Sequence, residues 1–156
     1  MITFTGEHPC KIDAKGRVLF PVGLKRQMGI EIQDRFALRK NIFTKSLDIL
    51  PWTEWELQLK KLRSRINPYN REHNEFVTEF FKGTADVTLD GSGRLLVPKL
   101  LADWLEIKNG DIMMVGQMGR IQLWDHSAYS SRSMSEEAFA SLAEKLLGNQ
   151  NFPEGE

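Results

Sequence analysis

Asp13-Ala14-Lys15-Gly16-Arg17-Val18-Leu19-Phe20-Pro21 returns as Asp90-Gly91-Ser92-Gly93-Arg94-Leu95-Leu96-Val97-Pro98, 90 − 13 = 77 residues later. Both copies follow the frame D-x-x-G-R-[VL]-L-x-P. In the first, Lys11–Asp13 and Arg17–Phe20 are short runs flanking a glycine-containing turn, which predicts a β-hairpin. Gly16 and Gly93 supply the positive φ that lets the chain reverse. Asp13 and Asp90 can accept hydrogen bonds from turn N–H groups, and Arg17 and Arg94, four residues on, can fold back to pair with them. Pro21 and Pro98 suit the first position of a helix, where the missing N–H costs nothing.

The repeat extends outward from this frame. Phe4-x-Gly6 matches Phe81-x-Gly83, Ile12 matches Leu89, and Asp34–Leu38 matches Asp111–Val115, all at the same shift. The shift then falls to 121 − 47 = 74, with Leu47-x-Ile49 against Ile121-x-Leu123 and Trp55 against Tyr129. A three-residue loop difference near Lys40–Thr44 accounts for the change. The chain therefore reads as a tandem duplication. Residues 1–67 form a first repeat with a linking helix, 68–134 a second with a leading helix, and 135–156 a C-terminal helix and tail.

Each half is mostly strands with one short helix, an α+β pattern. Asp34–Leu38, Leu47–Leu50, Asp111–Val115 and Ile121–Trp124 read as strands, and Asn109-Gly110-Asp111 and Met118-Gly119-Arg120 as turns. Leu100, Leu101, Trp104 and Leu105 keep a helical face, weakened in the first copy by Gly23. Thr53-Glu54-Trp55-Glu56 has the form of a capping box, with Trp55, Leu59, Leu62 and Ile66 as the stripe behind it. Asn67-Pro68 reads as the start of the next helix, with Tyr69, His73, Phe76, Val77, Phe80 and Phe81 as its face and Gly83 at its end. Ser133-x-x-Glu136 can cap a last helix bearing Phe139, Leu142 and Leu146, stopped by Gly148. Asn149–Glu156 is expected to be loose.

Composition narrows the function classes. A chain of 156 residues can bury enough surface to need no disulfide or metal staple. One cysteine, Cys10, excludes an intrachain disulfide and a cysteine metal cage, and a reducing, cytoplasmic setting is expected. No apolar run approaches the roughly 18 residues of a membrane span, and the N-terminus lacks a signal-peptide pattern. Lys plus Arg and Asp plus Glu balance at 21 each, so a nucleic-acid partner requires the basic residues to be concentrated on one face.

No catalytic constellation emerges, and no metal site or cofactor is expected. His8, His73 and His126 are scattered without metal-ligand spacing. His73 reads as a satisfied core residue, and Cys10, which matches Val87, as a small packed hydrophobe. Asp90-Gly91-Ser92-Gly93-Arg94 has the look of a phosphate-cradling loop but lacks the P-loop Lys-Ser/Thr and the G-x-G-x-x-G frame. Basic residues gather on the first copy of the turn, where Lys11, Lys15 and Arg17 lie near His8. The second copy has Thr88, Ser92 and Arg94 at those places, and Ala85 for His8. Arg is the side chain best suited to phosphate oxygens and guanine edges. Charge alone leaves two readings of the lysines: contacts to DNA, or solvated residues that blunt a strand edge.

The sequence resembles the MraZ family of bacterial transcriptional regulators. Phe4-Thr5-Gly6-Glu7-His8, Asp13-x-Lys15-Gly16-Arg17-x-x-x-Pro21, Phe80-Phe81-x-Gly83 and Asp90-x-x-Gly93-Arg94-x-Leu96-x-Pro98 carry the resemblance. The linking Trp55 helix and Ile121-x-Leu123-Trp124 add to it, and it covers residues 1–147. The resemblance implies a tandem duplicated swapped-hairpin AbrB-like β-barrel with peripheral helices, its halves related by a pseudo-twofold. It implies a ring-shaped homo-oligomer associated with the nucleoid. This would bind double-stranded DNA at short direct repeats upstream of the division and cell-wall gene cluster and act as a repressor. It makes Arg17 and Arg94 the motif arginines and Asp13 and Asp90 their partners, with Gly16 and Gly93 shaping the turns. Local charge then places Lys11, Lys15 and Arg17 at the DNA. A ring repeats one weak contact many times, so avidity can supply affinity that a neutral monomer lacks. The alternative is a protein-interaction or assembly module without DNA binding, working through the stripe on the 53–66 helix and the C-terminal helix.

Overall fold

A computed structural model of the chain describes residues 2–29 and 34–148. The expected loose tail, 149–156, lies outside the described residues. The elements run β1 (Phe4–Lys11), β2 (Arg17–Leu19), α1 (Val22–Met28), β3 (Arg35–Lys40), β4 (Leu47–Pro51), α2 (Trp52–Arg65), α3 (Arg71–Phe81), β5 (Ala85–Thr88), β6 (Arg94–Leu96), α4 (Lys99–Leu105), β7 (Asp111–Met118), β8 (Arg120–Asp125), α5 (His126–Ser131) and α6 (Glu136–Leu147). The sequence repeat returns as a repeat of elements. Strands β2 and β6 and helices α1 and α4 stand 77 residues apart, and α2 and α5 begin 126 − 52 = 74 apart. Left-handed backbone recurs in the same places: Gly6 and Gly83, Gly16 and Gly93, and Gly29 and Glu106.

The fold is mixed α+β, and its main sheet is open rather than the expected closed barrel. Six antiparallel strands lie in the order β1-β7-β8-β4-β3-β5, and β2 and β6 form a separate two-stranded ribbon. Exchanging each strand for its counterpart in the other half, β1 for β5, β3 for β7 and β4 for β8, returns the same order read from the opposite edge. Strands pair across the halves: Phe4–Lys11 run against Met118–Asp111, and Arg35–Leu38 against Thr88–Ala85. The expected hairpin between Lys11–Asp13 and Arg17–Phe20 shrinks to one bridge, Ile12 to Val18. β2 instead pairs with β6, because that pairing places Val18 and Leu95, both fully buried, side by side over the core. Burying a Val or Leu contributes about 1.5–3 kcal/mol.

Alternation along the central strands sets the core. Phe36, Leu38, Leu47, Ile49, Ile112, Met114, Ile121 and Leu123 line one face, joined by Val18, Leu95, Leu24 and Leu101. The other face is buried in two places. Ala37 and Leu50 pack with Trp55 of α2, and Met113, Val115 and Trp124 pack with Tyr129 of α5. Trp55 stacks on Phe80 of α3 at 6.0 Å between centroids and meets Phe81 edge-on at 5.9 Å. Arg35 and Asp86 clamp β3 to β5 with hydrogen bonds of 2.9 and 2.6 Å, and the same guanidinium lies 3.5 Å from the Trp52 ring centroid. Gly23 serves packing: a Cβ there would lie 2.9 Å from His8 Cε1.

Helix starts depart from expectation by one to three residues. Pro21 and Pro98 sit at the N-caps of α1 and α4, one position before the expected place. The Thr53 capping box does not form. Buried strand β4 runs directly into α2 at Pro51, which leaves Thr53 inside the first turn. Helix α3 starts at Arg71, where Asn70 rather than Asn67 accepts the His73 N–H at 3.1 Å. That leaves Tyr69 95% exposed, off any apolar face. His73 is not a core residue either: its Nδ1 accepts the Asn67 N–H at 2.9 Å and ties the turn before α3. Ser135, not Ser133, caps α6, accepting the Ala138 N–H at 3.1 Å.

Candidate nucleic-acid interface

Each D-x-x-G-R segment builds the same turn. Asp13 Oδ1 accepts the N–H groups of Lys15 and Arg17, both at 2.9 Å, and Oδ2 accepts Arg17 Nε at 2.7 Å. Asp90 repeats the pattern with Ser92 and Arg94, at 2.9 and 2.9 Å to the backbone and 3.1 Å to Nε. The Arg17 backbone N–H, then its side chain, holds the Asp13 carboxyl below the usual aspartate range. The Arg94 N–H does the same for Asp90. In each turn the glycine N–H bonds back to the aspartate carbonyl, at 3.0 Å for Gly16 and 2.9 Å for Gly93.

Pairing of β2 with β6 brings the two turns onto one ribbon. Arg17 faces Leu96 and Arg94 faces Leu19 across it. Val18 and Leu95 point into the core, so by alternation Arg17, Leu19, Arg94 and Leu96 point outward. Leu19 and Leu96 are 64% and 52% exposed. The turns lock onto the ribbon through backbone: Val97 N–H donates to Gly16 carbonyl at 2.7 Å, and Phe20 N–H to Gly93 carbonyl at 3.0 Å. Each arginine uses only Nε on its aspartate. Among the described residues nothing accepts from the terminal amino groups of either, which leaves two forked donor edges facing out.

The remaining basic residues are not equivalent. Lys11, at the end of β1, forms an ion pair with Asp111 of β7. Lys15 at the turn tip is exposed, and among the described residues no carboxylate pairs with it. His8 lies apart from this patch, its ring against Gly6 and Gly23. Sequence reasoning missed Leu19 and Leu96. Their signal was the leucine fixed in both copies of the frame, one place after the buried Val18 or Leu95 on a half-buried strand. The sequence gathers Lys11, Lys15 and Arg17 on the first turn, and the pairing of β2 with β6 adds Arg94 to the same ribbon as Arg17.

The second turn cannot cradle a phosphate as it stands, because Asp90 already occupies the Ser92 and Arg94 N–H groups. Among the described residues no group of three His, Cys, Asp or Glu side chains could hold a metal, and no helix is long and apolar enough to cross a membrane. Cys10 is half-buried beside the core, its thiol donates to the His8 carbonyl at 3.2 Å, and burial raises its pKa.

Comparison with known proteins finds relatives along nearly the whole chain. A family model described as "MraZ protein, putative antitoxin-like" matches residues 80–149. A protein of Flavobacterium psychrophilum named "Transcriptional regulator MraZ" is 34% identical over 155 residues, covering 99% of this chain and 98% of its own. Proteins of the same name from Bacteroides thetaiotaomicron, 33% identical over 100% and 99% of the two chains, and Desulfitobacterium hafniense, 33% over 92% and 96%, are likewise similar.

Proposed function

The chain belongs to the MraZ family, and from that premise we propose that it is a transcriptional regulator, not an enzyme, that reads double-stranded DNA with the β2–β6 ribbon. The observation that carries this reading is the pair of aspartate-braced arginines facing outward from one ribbon. A two-stranded ribbon fits the major groove, where a forked arginine bonds guanine O6 and N7. Asp13 and Asp90 fix each guanidinium through Nε and leave the forked edge for a base or a phosphate. Leu19 and Leu96, each opposite an arginine across the ribbon, suit thymine methyl groups or sugar faces. Lys15 adds phosphate contact from the turn tip. Lys11 contributes less, because Asp111 offsets its charge.

The ribbon reading agrees with two AbrB-like swapped-hairpin repeats, 1–67 and 68–134, related by a pseudo-twofold, with 135–156 as an appendage. The resemblance adds the biological setting. The chain acts as a ring-shaped homo-oligomer at the nucleoid, represses the division and cell-wall gene cluster, and binds direct repeats upstream of it. Balanced net charge makes the multiplicity of a ring the source of affinity.

The test is binding to the duplex upstream of the chain's own gene, by mobility shift and by fluorescence anisotropy across a salt series. Arg17→Ala and Arg94→Ala should each lose about tenfold or more in affinity, since one good bidentate contact is worth roughly 1–3 kcal/mol. The double variant should not shift the DNA, while circular dichroism stays unchanged. Log affinity should fall against log salt by about 0.9 per phosphate neutralised. Wild-type affinity in a folded double variant would sink the ribbon as the DNA face.

A further inference from the structure

Helix α6 holds its apolar side chains out in solvent. Phe139, Leu142 and Leu146 recur on one face at i, i+3 and i+7, and they are 66%, 41% and 65% exposed. No residue of this helix is buried. A helix with a one-sided apolar stripe draws most of its stability from packing that stripe against something. Its charge is acidic, with Glu136, Glu137 and Glu144 against Lys145.

Between α2 and α3 lies a groove with an apolar floor of Leu59, Leu62, Ile66, Val77 and Phe81. Lys60 and Arg63 stand on its wall, and Lys61 and Arg65 continue the basic run along α2. Among the described residues no carboxylate pairs with any of these four. Glu56 also lines the groove, one carboxylate against these four cations, so the groove offers an apolar floor and net positive charge, and α6 offers an apolar stripe and excess negative charge.

We propose that α6 of one copy docks into the α2–α3 groove of the next copy, its stripe on the groove floor and its glutamates toward Lys60 and Arg63. This rests on the reading of the chain as a homo-oligomer and names the surface that builds it. Only Arg132–Ser135 join α5 to α6, and four residues span at most about 14 Å. α5 packs on β7 and β8, and no residue of α6 lines the chain's own groove. Donor and acceptor are different surfaces, so the contact is heterologous. It propagates from copy to copy and closes into a ring when the rotation allows.

Complementary variants of the full chain, weighed by light scattering, test the contact. Phe139→Glu with Leu142→Glu removes the donor. Lys60→Glu with Arg63→Glu, both exposed positions, removes the acceptor without touching the core, and Leu62→Glu attacks the floor directly. Each variant should be a monomer at loads where the native chain is an oligomer, with unchanged circular dichroism. A one-to-one mixture of donor and acceptor variants should give a heterodimer, because one intact donor and one intact acceptor remain. A donor variant that keeps the mass of a native oligomer overturns this surface and leaves the homo-oligomer reading standing. A mixture that stays monomeric overturns it as well, and indicates that α6 folds onto its own groove. A native chain that is itself monomeric overturns both readings.

Discussion

Gly16 and Gly93 occupy matching places in the two turns under different constraints. Both have positive φ, 84° and 76°. A Cβ on Gly16 would also lie 2.5 Å from the Val97 carbonyl oxygen, whereas one on Gly93 would meet open space. Left-handed backbone at a non-glycine residue costs about 1–3 kcal/mol. Gly93→Ala should show that cost alone. Gly16→Ala should add a backbone clash where the Val97 N–H bonds the Gly16 carbonyl, and thermal melts should find it clearly less stable than Gly93→Ala. Equal melting temperatures would contradict the close approach. The same scale marks where sequence reading reaches its limit. The bonds among Asp13, Lys15 and Arg17 lie within five residues, so the spacing alone suggests them. The ion pair of Lys11 with Asp111 joins residues 100 apart, and the packing of His8 over Gly23 joins a strand to a helix. Neither leaves a local pattern.

Turns and helices are legible according to how much of their stabilisation is local. The strands at 35–40, 47–51, 111–118 and 120–125 agree with the segments read as strands, because short apolar runs buried on both faces set them. α5 was not read. His126–Ser131 has six residues, no buried one, and depends on Asp125, which accepts the Ala128 N–H at 3.0 Å while also holding the Lys108 N–H at 2.9 Å. The caps at Asn70 and Ser135 were misplaced because several polar residues compete at each site and tertiary packing chooses among them. The D-x-x-G-R turns carry a pH signature. The folded turn depresses the Asp13 and Asp90 pKa values, so their stabilising effect is complete above the unfolded value of about 3.9. It is lost as pH falls through the folded values. Thermal melts should therefore decline on acidification below about pH 4. The decline should be shallower in the double variant Asp13→Asn, Asp90→Asn. It should not vanish, because the Arg35 side chain lowers Asp86 and Lys45 lowers Glu106 in the same sense. An unchanged pH profile in the double variant would contradict the assignment.

At the scale of the molecule, the duplicated sequence forms one shared structure rather than two neighbouring ones. β1 and β2 find their partners in β7 and β6, and β5 finds its partner in β3. Residues 1–67 alone keep the β3–β4 pairing and the single Ile12–Val18 bridge, and an isolated two-stranded pairing is marginal in water. That fragment should give weak, broad amide dispersion in solution NMR. Adding residues 68–156 should restore the dispersion of the intact chain, and a well-dispersed spectrum from the first fragment alone would contradict the sharing. A duplication is visible in sequence as a shift, but which copy each strand pairs with is decided by burial of Val18 against Leu95 and of the central strands on both faces. Exchange of partners between halves was therefore not in the residues themselves.

This crossed pairing also sets a schedule for synthesis. Lys11 pairs with Asp111 and Phe4 with Met118, so β1 is made about 100 residues before its partner. At roughly 5–20 residues per second that is a delay of about 5–20 seconds. A strand that must wait unpaired is a hazard for aggregation. β1 is composed to survive the wait: Gly6, Glu7, Pro9 and Lys11 interrupt it with a flexible residue, two charges and a proline that cannot donate a ladder hydrogen bond.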